Sequence, residues 1–258
     1  MTRIDRRALF ASGAAAALLA ATGVSATPQR GGRLRAALSA PLFDQAVKAT
    51  VYDNLTEIAA DGTLRGEIAT GWSSDDSGRR WRFTLRKDVV FHDGTILTAD
   101  TFRLPLMAVE VIDATTIDIH LDAPNPNLPY ILAHPGYEVQ SQTGAGTGLY
   151  RVQKLVQGRH FIANRVSSHW KQGAGWFDSV EFVQFSADTV RAEALRDGLV
   201  DVADIETLDA LADPRDFQML PGGLATTHIA ATAIAIPPTV GKSWPLDNLR
   251  MAERWWMG

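Results

Sequence analysis

The chain has 258 residues, a formal net charge of −4 and 46% hydrophobic residues, a composition typical of a globular protein with a sizeable core. Cysteine is absent, which excludes disulfides, thiol catalysis and cysteine-ligated metals. The acidic balance, without a basic tract after the N-terminus, gives no indication of nucleic-acid binding.

The N-terminus carries the pattern of an export signal. Three arginines precede an alanine-rich apolar run from Ala8 to Thr22, and Val24-Ser25-Ala26 resembles a signal cleavage site. The run is shorter than the roughly 20 residues that span a bilayer, and the alternative is an anchored N-terminal helix. Arg6 and Arg7 resemble a twin-arginine export motif, and export by the Sec route is the alternative. We expect residues 1–26 to be cleaved near Ala26 and residues 27–258 to fold in the periplasm.

The first two elements after a polar linker are a strand and a helix. Apolar residues alternate with other residues from Gly32 to Leu38, which is the period of a strand. Apolar residues recur at four-residue spacing from Ala46 to Leu55, which predicts a helix. Asp61-Gly62 then predicts a turn.

The stretch from Trp72 to Asp100 has the clearest pattern in the chain. Apolar and polar residues alternate from Trp81 to Arg86, which predicts a half-buried strand. A second short apolar run follows and ends at the turn dipeptide Asp93-Gly94. Thr98 to Asp100 predict the start of a helix, because Thr and Asp side chains accept hydrogen bonds from the first N–H groups of helices.

Beyond this stretch the pattern is mainly that of strands. Pro105 would end any helix within about one turn, and alternation on both sides of Asp113-Ala114 predicts a hairpin. The glycine-rich run from Gly144 to Gly148 invites comparison with a phosphate-binding loop, which requires a helix after the glycines. Tyr150 to Leu155 instead alternate like a strand, so nucleotide binding is not favoured.

The last elements alternate between strand and helix. We expect a strand from Phe177 to Phe185, a helix from Thr189 to Asp197 that stops near Gly198, and a strand from Val200 to Ala203. Strands interspersed with helices predict an α/β fold of the mixed α+β kind.

Several of these segments, in the same order, resemble the family 5 extracellular solute-binding proteins, the peptide- and nickel-type binding components of bacterial ABC importers. The resemblance implies a fold like that of the type II periplasmic binding proteins, mainly one lobe with a mixed β-sheet flanked by helices. It also implies a non-catalytic monomer without cofactor or metal, with a small peptide or similar solute as ligand and ABC permease subunits as partners. The matching segments are Tyr52 to Leu55, Trp72, Trp81 to Arg86, Phe91 to Gly94, Thr98 to Asp100, Gly146 to Tyr150, Ala194-Leu195, Gly198 and Val200-Asp201.

The chain departs from that family in length. Full-length members are longer, and here a run of small residues follows Leu220. We therefore expect an internal deletion near residues 220–235 that removes most of a second lobe, and a C-terminal tail, 236–258, that returns to the first lobe. One lobe supplies only half the walls of a cleft, so a truncated remnant without high-affinity binding stays open as an alternative.

A secreted hydrolase is the competing class of function. Neither G-x-S-x-G nor H-E-x-x-H occurs, and the six histidines lack metal-ligand spacing, so no catalytic or metal-binding residue is predicted. The resemblance instead suggests ligand contacts at Leu38 and Ser39 after the first strand, at Tyr150 after the glycine run, and at Trp176 near a loop. Core packing is the alternative role for each of these residues.

Overall fold

The computed structural model describes residues 31–59, 62–104, 107–171, 174–211, 217–221 and 228–232. The helices are α1 (Ala40–Val51), α2 (Leu128–Ile131) and α3 (Asp188–Arg196), and a short 3₁₀ helix covers Leu208–Leu211. The strands are β1 (Arg33–Leu38), β2 (Thr56–Ile58), β3 (Leu64–Gly66), β4 (Ala69–Ser74), β5 (Arg80–Leu85), β6 (Phe102–Arg103), β7 (Val109–Asp113), β8 (Thr116–His120), β9 (Gln140–Ser141), β10 (Tyr150–Val156), β11 (His160–Arg165), β12 (Ser179–Gln184), β13 (Val202–Ile205), β14 (Gln218–Pro221) and β15 (His228–Ala231).

A seven-stranded mixed sheet, in the order β10-β11-β12-β1-β13-β15-β14, forms the main layer. Its centre is parallel, because β1 pairs in parallel with both β12 and β13. The outer pairs, β10–β11, β11–β12, β13–β15 and β14–β15, are antiparallel. This mixed sheet, with α1 and α3 packed on it, confirms the predicted α/β class.

The alternation of β1 places the two longer helices on opposite faces of the sheet. Leu34, Ala36 and Leu38 are buried in one apolar cluster with Phe43 of α1. Ala37 points to the other face and belongs to a separate cluster with Ala192 and Leu195 of α3. The sheet is therefore covered by a helix on each face of its parallel centre.

A second core surrounds the antiparallel sheet β4-β5-β8-β7. Trp81, Phe83 and Leu85 of β5 are buried, while the residues between them are exposed, which confirms the predicted half-buried strand. Strands β7 and β8 form the hairpin predicted around Asp113-Ala114. The turn at Asp93-Gly94 is also confirmed, since Gly94 has φ +89° and its N–H donates to Phe91.

The first helix differs from its prediction at both ends. It begins at Ala40 rather than Ala46, because Pro41 lies in the first turn, where its missing N–H is tolerated. It ends at Val51 rather than Leu55, since Tyr52 is extended. The chain after Val51 packs against the glycine-rich segment, and the N–H of Gly148 donates to the Val51 carbonyl over 2.8 Å.

The predicted helix start at Thr98 is wrong for the residues described. The hydroxyl of Thr101 accepts the Thr98 N–H over 2.8 Å, as a capping group would. A turn follows, and the chain then enters β6 at Phe102. The accepting side chain is thus that of Thr101 and not that of Thr98 or Asp100, and the backbone continues as a strand that pairs with β9.

The export signal predicted for residues 1–26 and the tail predicted for residues 236–258 lie outside the described residues. The deletion predicted near 220–235 falls on a range that includes the end of β14 and all of β15, and most of the residues in that range also lie outside the described part. Among the helices that the structure describes, none is long and apolar enough to cross a membrane.

Candidate functional site at the carboxyl edge of the sheet

The parallel strands β12, β1 and β13 end at one edge of the large sheet. The chain leaves β1 into α1 on one face, and it passes from β12 to β13 through α3 on the other face. Ligands of open α/β sheets bind outside the carboxyl ends of strands at such a switch point. We call this region the carboxyl edge and define it as Ser39, residues 185–188 and residues 204–207.

A buried arginine organises the carboxyl edge. Arg191 of α3 has no exposed surface, so each of its N–H groups requires an acceptor within the protein. Its acceptors come from the ends of two strands and from the start of its own helix. They are the carbonyls of Phe185 (2.8 Å), Ser186 (3.0 Å) and Asp204 (2.8 Å), and the carboxylates of Asp188 (3.3 Å) and Glu206 (3.4 Å).

Asp204 links the end of β13 to the end of β1. Its Oδ1 accepts the N–H of Ser39 over 2.8 Å and lies 3.3 Å from Nε of Arg191. Its other oxygen, Oδ2, is buried without a hydrogen-bond partner among the described residues. Burial raises the pKa of Asp204, and the Ser39 hydrogen bond and the Arg191 charge partly oppose that rise.

Asp188, the first residue of α3, fixes the loop after β13. Its two oxygens accept the N–H groups of Glu206 and Thr207 over 2.9 and 3.1 Å. Its position in the first turn of α3 also favours the negative charge, because the exposed N–H groups of that turn are partially positive. The loop is thus held by side-chain bonds rather than by a strand ladder.

The carboxyl edge presents both polar and apolar groups to solvent. The Glu206 side chain is 57% exposed, and Phe185 and Leu208 are exposed beside it. Such a mixture can hold a solute through hydrogen bonds and apolar contact.

The four residues suggested for ligand contact do not come together. Ser39 lies at the carboxyl edge and is half-buried, while Leu38 beside it is fully buried in the core. Tyr150 is 1% exposed, and its hydroxyl donates to the carbonyl of Phe177 over 3.0 Å. Tyr150 and Trp176 lie near the amino ends of β12 and β1, at the opposite edge of the sheet. Ligand contact by these residues stays a prediction.

Sequence reasoning missed four charged residues in or beside the carboxyl edge. Arg191, Asp188, Asp204 and Glu206 are dispersed over 19 positions and resemble ordinary surface charges in the sequence. The available signal was indirect: each lies just beyond the end of a predicted strand, or in the predicted helix that joins two of these strands.

A second group of buried charges lies away from the carboxyl edge. Nζ of Lys171 donates to Asp53 over 2.6 Å and to Glu67, and both carboxylates are almost fully buried. The hydroxyl of Thr147 donates to the other oxygen of Asp53 over 2.9 Å. His169 binds the Thr147 carbonyl through Nε2, and burial lowers the pKa of its imidazole. This network joins the end of α1 to the loops after β3 and β11, which indicates a structural role.

One cluster on the outer face of the antiparallel sheet has metal-ligand residue types. Glu110, Asp118 and His120 place ligand atoms within 4.8 Å of one another. Both oxygens of Asp118 accept hydrogen bonds from Arg82, over 2.7 and 2.8 Å, so its charge already has a partner. The sequence did not indicate the cluster because Glu110 meets Asp118 only through the pairing of β7 with β8.

Curated proteins with similar sequences are described as binding proteins. The glutathione-binding protein GsiB of Salmonella paratyphi A is 25% identical over 187 residues, which cover 60% of this chain and 36% of GsiB. A putative binding protein of Haemophilus influenzae is 21% identical over 203 residues, which cover 64% of this chain and 36% of that protein. The chain thus spans little more than a third of the length of these relatives.

Solved structures show the same fold. The periplasmic binding protein DppA from Helicobacter pylori, in complex with peptide STSA, matches with a TM-score of 0.65 at 16% identity, covering 76% of this chain and 51% of DppA. A second match is the oligopeptide-binding protein AppA from Bacillus subtilis, in complex with a nonapeptide. Its TM-score is 0.63 at 16% identity, and the match covers 75% of this chain and 48% of AppA. The fold is therefore that of type II periplasmic binding proteins, of which this chain covers about half.

The family model for bacterial extracellular solute-binding proteins, family 5 Middle, matches residues 63–104 and 104–229. These residues include β3 to β14 and the first half of β15, and hence most of the described structure. The chain belongs to the family 5 bacterial extracellular solute-binding proteins.

Proposed function

We propose that the protein is the periplasmic substrate-binding component of an ABC importer and that it binds peptides or a similar small solute without catalysis. The observation that carries the proposal is the carboxyl edge, where three parallel strands end at a switch point beside exposed polar and apolar groups. Permease subunits of the importer are the proposed partners, and residues 1–26 are the proposed export signal.

The ligands named for the relatives support a peptide-like solute. GsiB is described as binding glutathione, which is itself a tripeptide, and DppA and AppA were solved with peptides. A nickel ABC transporter protein from Bacillus halodurans shares the fold at 19% identity, with a TM-score of 0.63. The fold therefore accommodates both solute classes, and the curated sequence matches favour the peptide.

A second candidate is a remnant without high-affinity binding, because the described residues form one side of a cleft. A cleft between two lobes buries its ligand from both sides, whereas one edge contacts it from one side only. The described residues supply one such edge, and the chain covers 36% of GsiB and 51% of DppA. We therefore propose weak binding, with a dissociation constant near the millimolar range.

Isothermal titration of the purified full-length chain with glutathione, dialanine and trialanine tests the proposal. Saturable heat for at least one peptide, lost in E206A and kept in E193A, would support binding at the carboxyl edge. Glu193 is a matched control because it is exposed on α3, away from the Arg191 contacts. No saturable heat at about 10 mM peptide, together with a cooperative melting transition, would contradict the proposal and favour the remnant.

A further inference from the structure

One guanidinium group contacts several of the chain segments that meet at the carboxyl edge. Arg191 reaches the end of β12 through two backbone carbonyls and the end of β13 through the carbonyl of Asp204. It reaches the start of α3 and the loop after β13 through the carboxylates of Asp188 and Glu206. These elements are separated along the chain and meet at this side chain.

Two of the carboxylates that Arg191 contacts in turn accept hydrogen bonds from three backbone N–H groups of the carboxyl edge. Asp204 accepts the N–H of Ser39, and Asp188 accepts those of Glu206 and Thr207. Each carboxylate therefore has Arg191 on one side and backbone of the edge on the other. The charge of Arg191 compensates the carboxylates that hold this backbone in place.

We propose that Arg191 is a positioning residue for the ligand-binding edge, which acts by fixing Asp204 and Asp188 and, through them, the backbone of Ser39, Glu206 and Thr207. This role would explain why a charged side chain, that of Arg191, is fully buried. It rests on the proposed function only for the claim that a solute binds this edge. The hydrogen bonds that Arg191, Asp204 and Asp188 make can be tested without a ligand.

Lysine cannot replace this arginine. Its ammonium group has three N–H donors on a flexible stem, whereas the guanidinium has five in a fixed fork, and here they are shared among five residues. R191K keeps the positive charge and loses the fork, so it separates positioning from charge. R191M would remove both, at greater risk to folding.

Amide hydrogen exchange of the full-length chain tests the proposal. In R191K we expect exchange at Ser39, Glu206 and Thr207 to accelerate at least about tenfold, the factor for one charge-assisted hydrogen bond, with little change in β5. R82K is the matched control, because Arg82 makes a two-point bond to Asp118 in the other sheet. It should leave the three amides unchanged.

A second variant keeps the proposal testable if R191K does not fold. D188A should accelerate exchange at Glu206 and Thr207 and spare Ser39, since Ser39 is held through Asp204. Unchanged exchange at the three amides in R191K would overturn the proposal, as would acceleration equal to that in β5. In D188A, equal acceleration at Ser39 would also overturn it.

Peptide titration of the same variants separates this proposal from the proposed function. If the wild-type chain binds trialanine, R191K should weaken that affinity by about tenfold or more. If the wild-type chain binds no peptide, the proposed function fails, while the exchange result still decides whether Arg191 orders the edge.

Discussion

A methyl group added at Gly146 should destabilise the protein through a backbone clash. Gly146 lies against the last turn of α1, where an added Cβ would overlap the carbonyl oxygen of Val51. It would also lie 2.7 Å from Cδ1 of Tyr52 and 2.8 Å from the carbonyl carbon of Val51. These distances are below any normal carbon contact, and the Val51 atoms belong to the backbone and cannot move aside by changing rotamer.

The structure gives a magnitude for G146A. Relief of the clash requires the glycine-rich segment to move by about an ångström from α1, which threatens the hydrogen bond between Gly148 and Val51. Overpacking of this kind costs about 3 kcal/mol, at the upper end of the usual range, because backbone and not side chain must yield. For a chain of this size, we expect the melting temperature to fall by roughly 6–12 °C.

Thermal unfolding followed by circular dichroism, with G71A as the control, tests this expectation. Gly71 has no atom within 4 Å of an added Cβ and no positive φ, so G71A should shift the melting temperature by no more than about 2 °C. Equal shifts for G146A and G71A would refute the packing explanation for the glycine run. A role other than close packing would then have to be considered for the glycine-rich run from Gly144 to Gly148.

Two further predictions concern buried charge. K171M should destabilise the protein by about 3–5 kcal/mol in urea denaturation, because it leaves the buried carboxylates of Asp53 and Glu67 without their cation. Lys154 is exposed, so the control variant K154M should change the free energy of unfolding little. Equal losses in the two variants would contradict a stabilising role for the buried charges around Lys171. Burial lowers the pKa of His92 and His169 below the ordinary value of 6.5, so their contribution to stability is complete above pH 6.5 and is lost as the pH falls below it. The melting temperature should therefore drop between pH 6.5 and 5, and H169Q should flatten that drop; an unchanged slope would show that His169 does not contribute.

Local patterns predicted the elements whose burial alternates cleanly. The strand around Trp81 and the hairpin at Asp113-Ala114 follow from side-chain period and turn residues alone. The helix expected at Thr98 does not form in the described residues, because pairing of Phe102 with Ser141 determines the backbone there. Capping residues report a hydrogen-bonding preference, which long-range pairing can override.

The candidate site was less predictable because it depends on strand register. Ser39 was suggested from the family resemblance as a residue after the first strand, but its partner Asp204 lies 165 residues away in the sequence. Tyr150 and Trp176 were drawn from motif resemblance, and the register places them at the opposite edge of the sheet. A local pattern cannot indicate which ends of distant strands share an edge, since that follows from the assembled topology.

The central claim is that a peptide-like solute binds the carboxyl edge. Amide chemical shifts of the full-length, isotope-labelled chain, recorded during titration with glutathione and trialanine, test it most directly. We expect shifts concentrated at Ser39, at residues 185–188 and at residues 204–207. Shifts concentrated instead around Tyr150 and Trp176, or saturation by neither peptide, would contradict it.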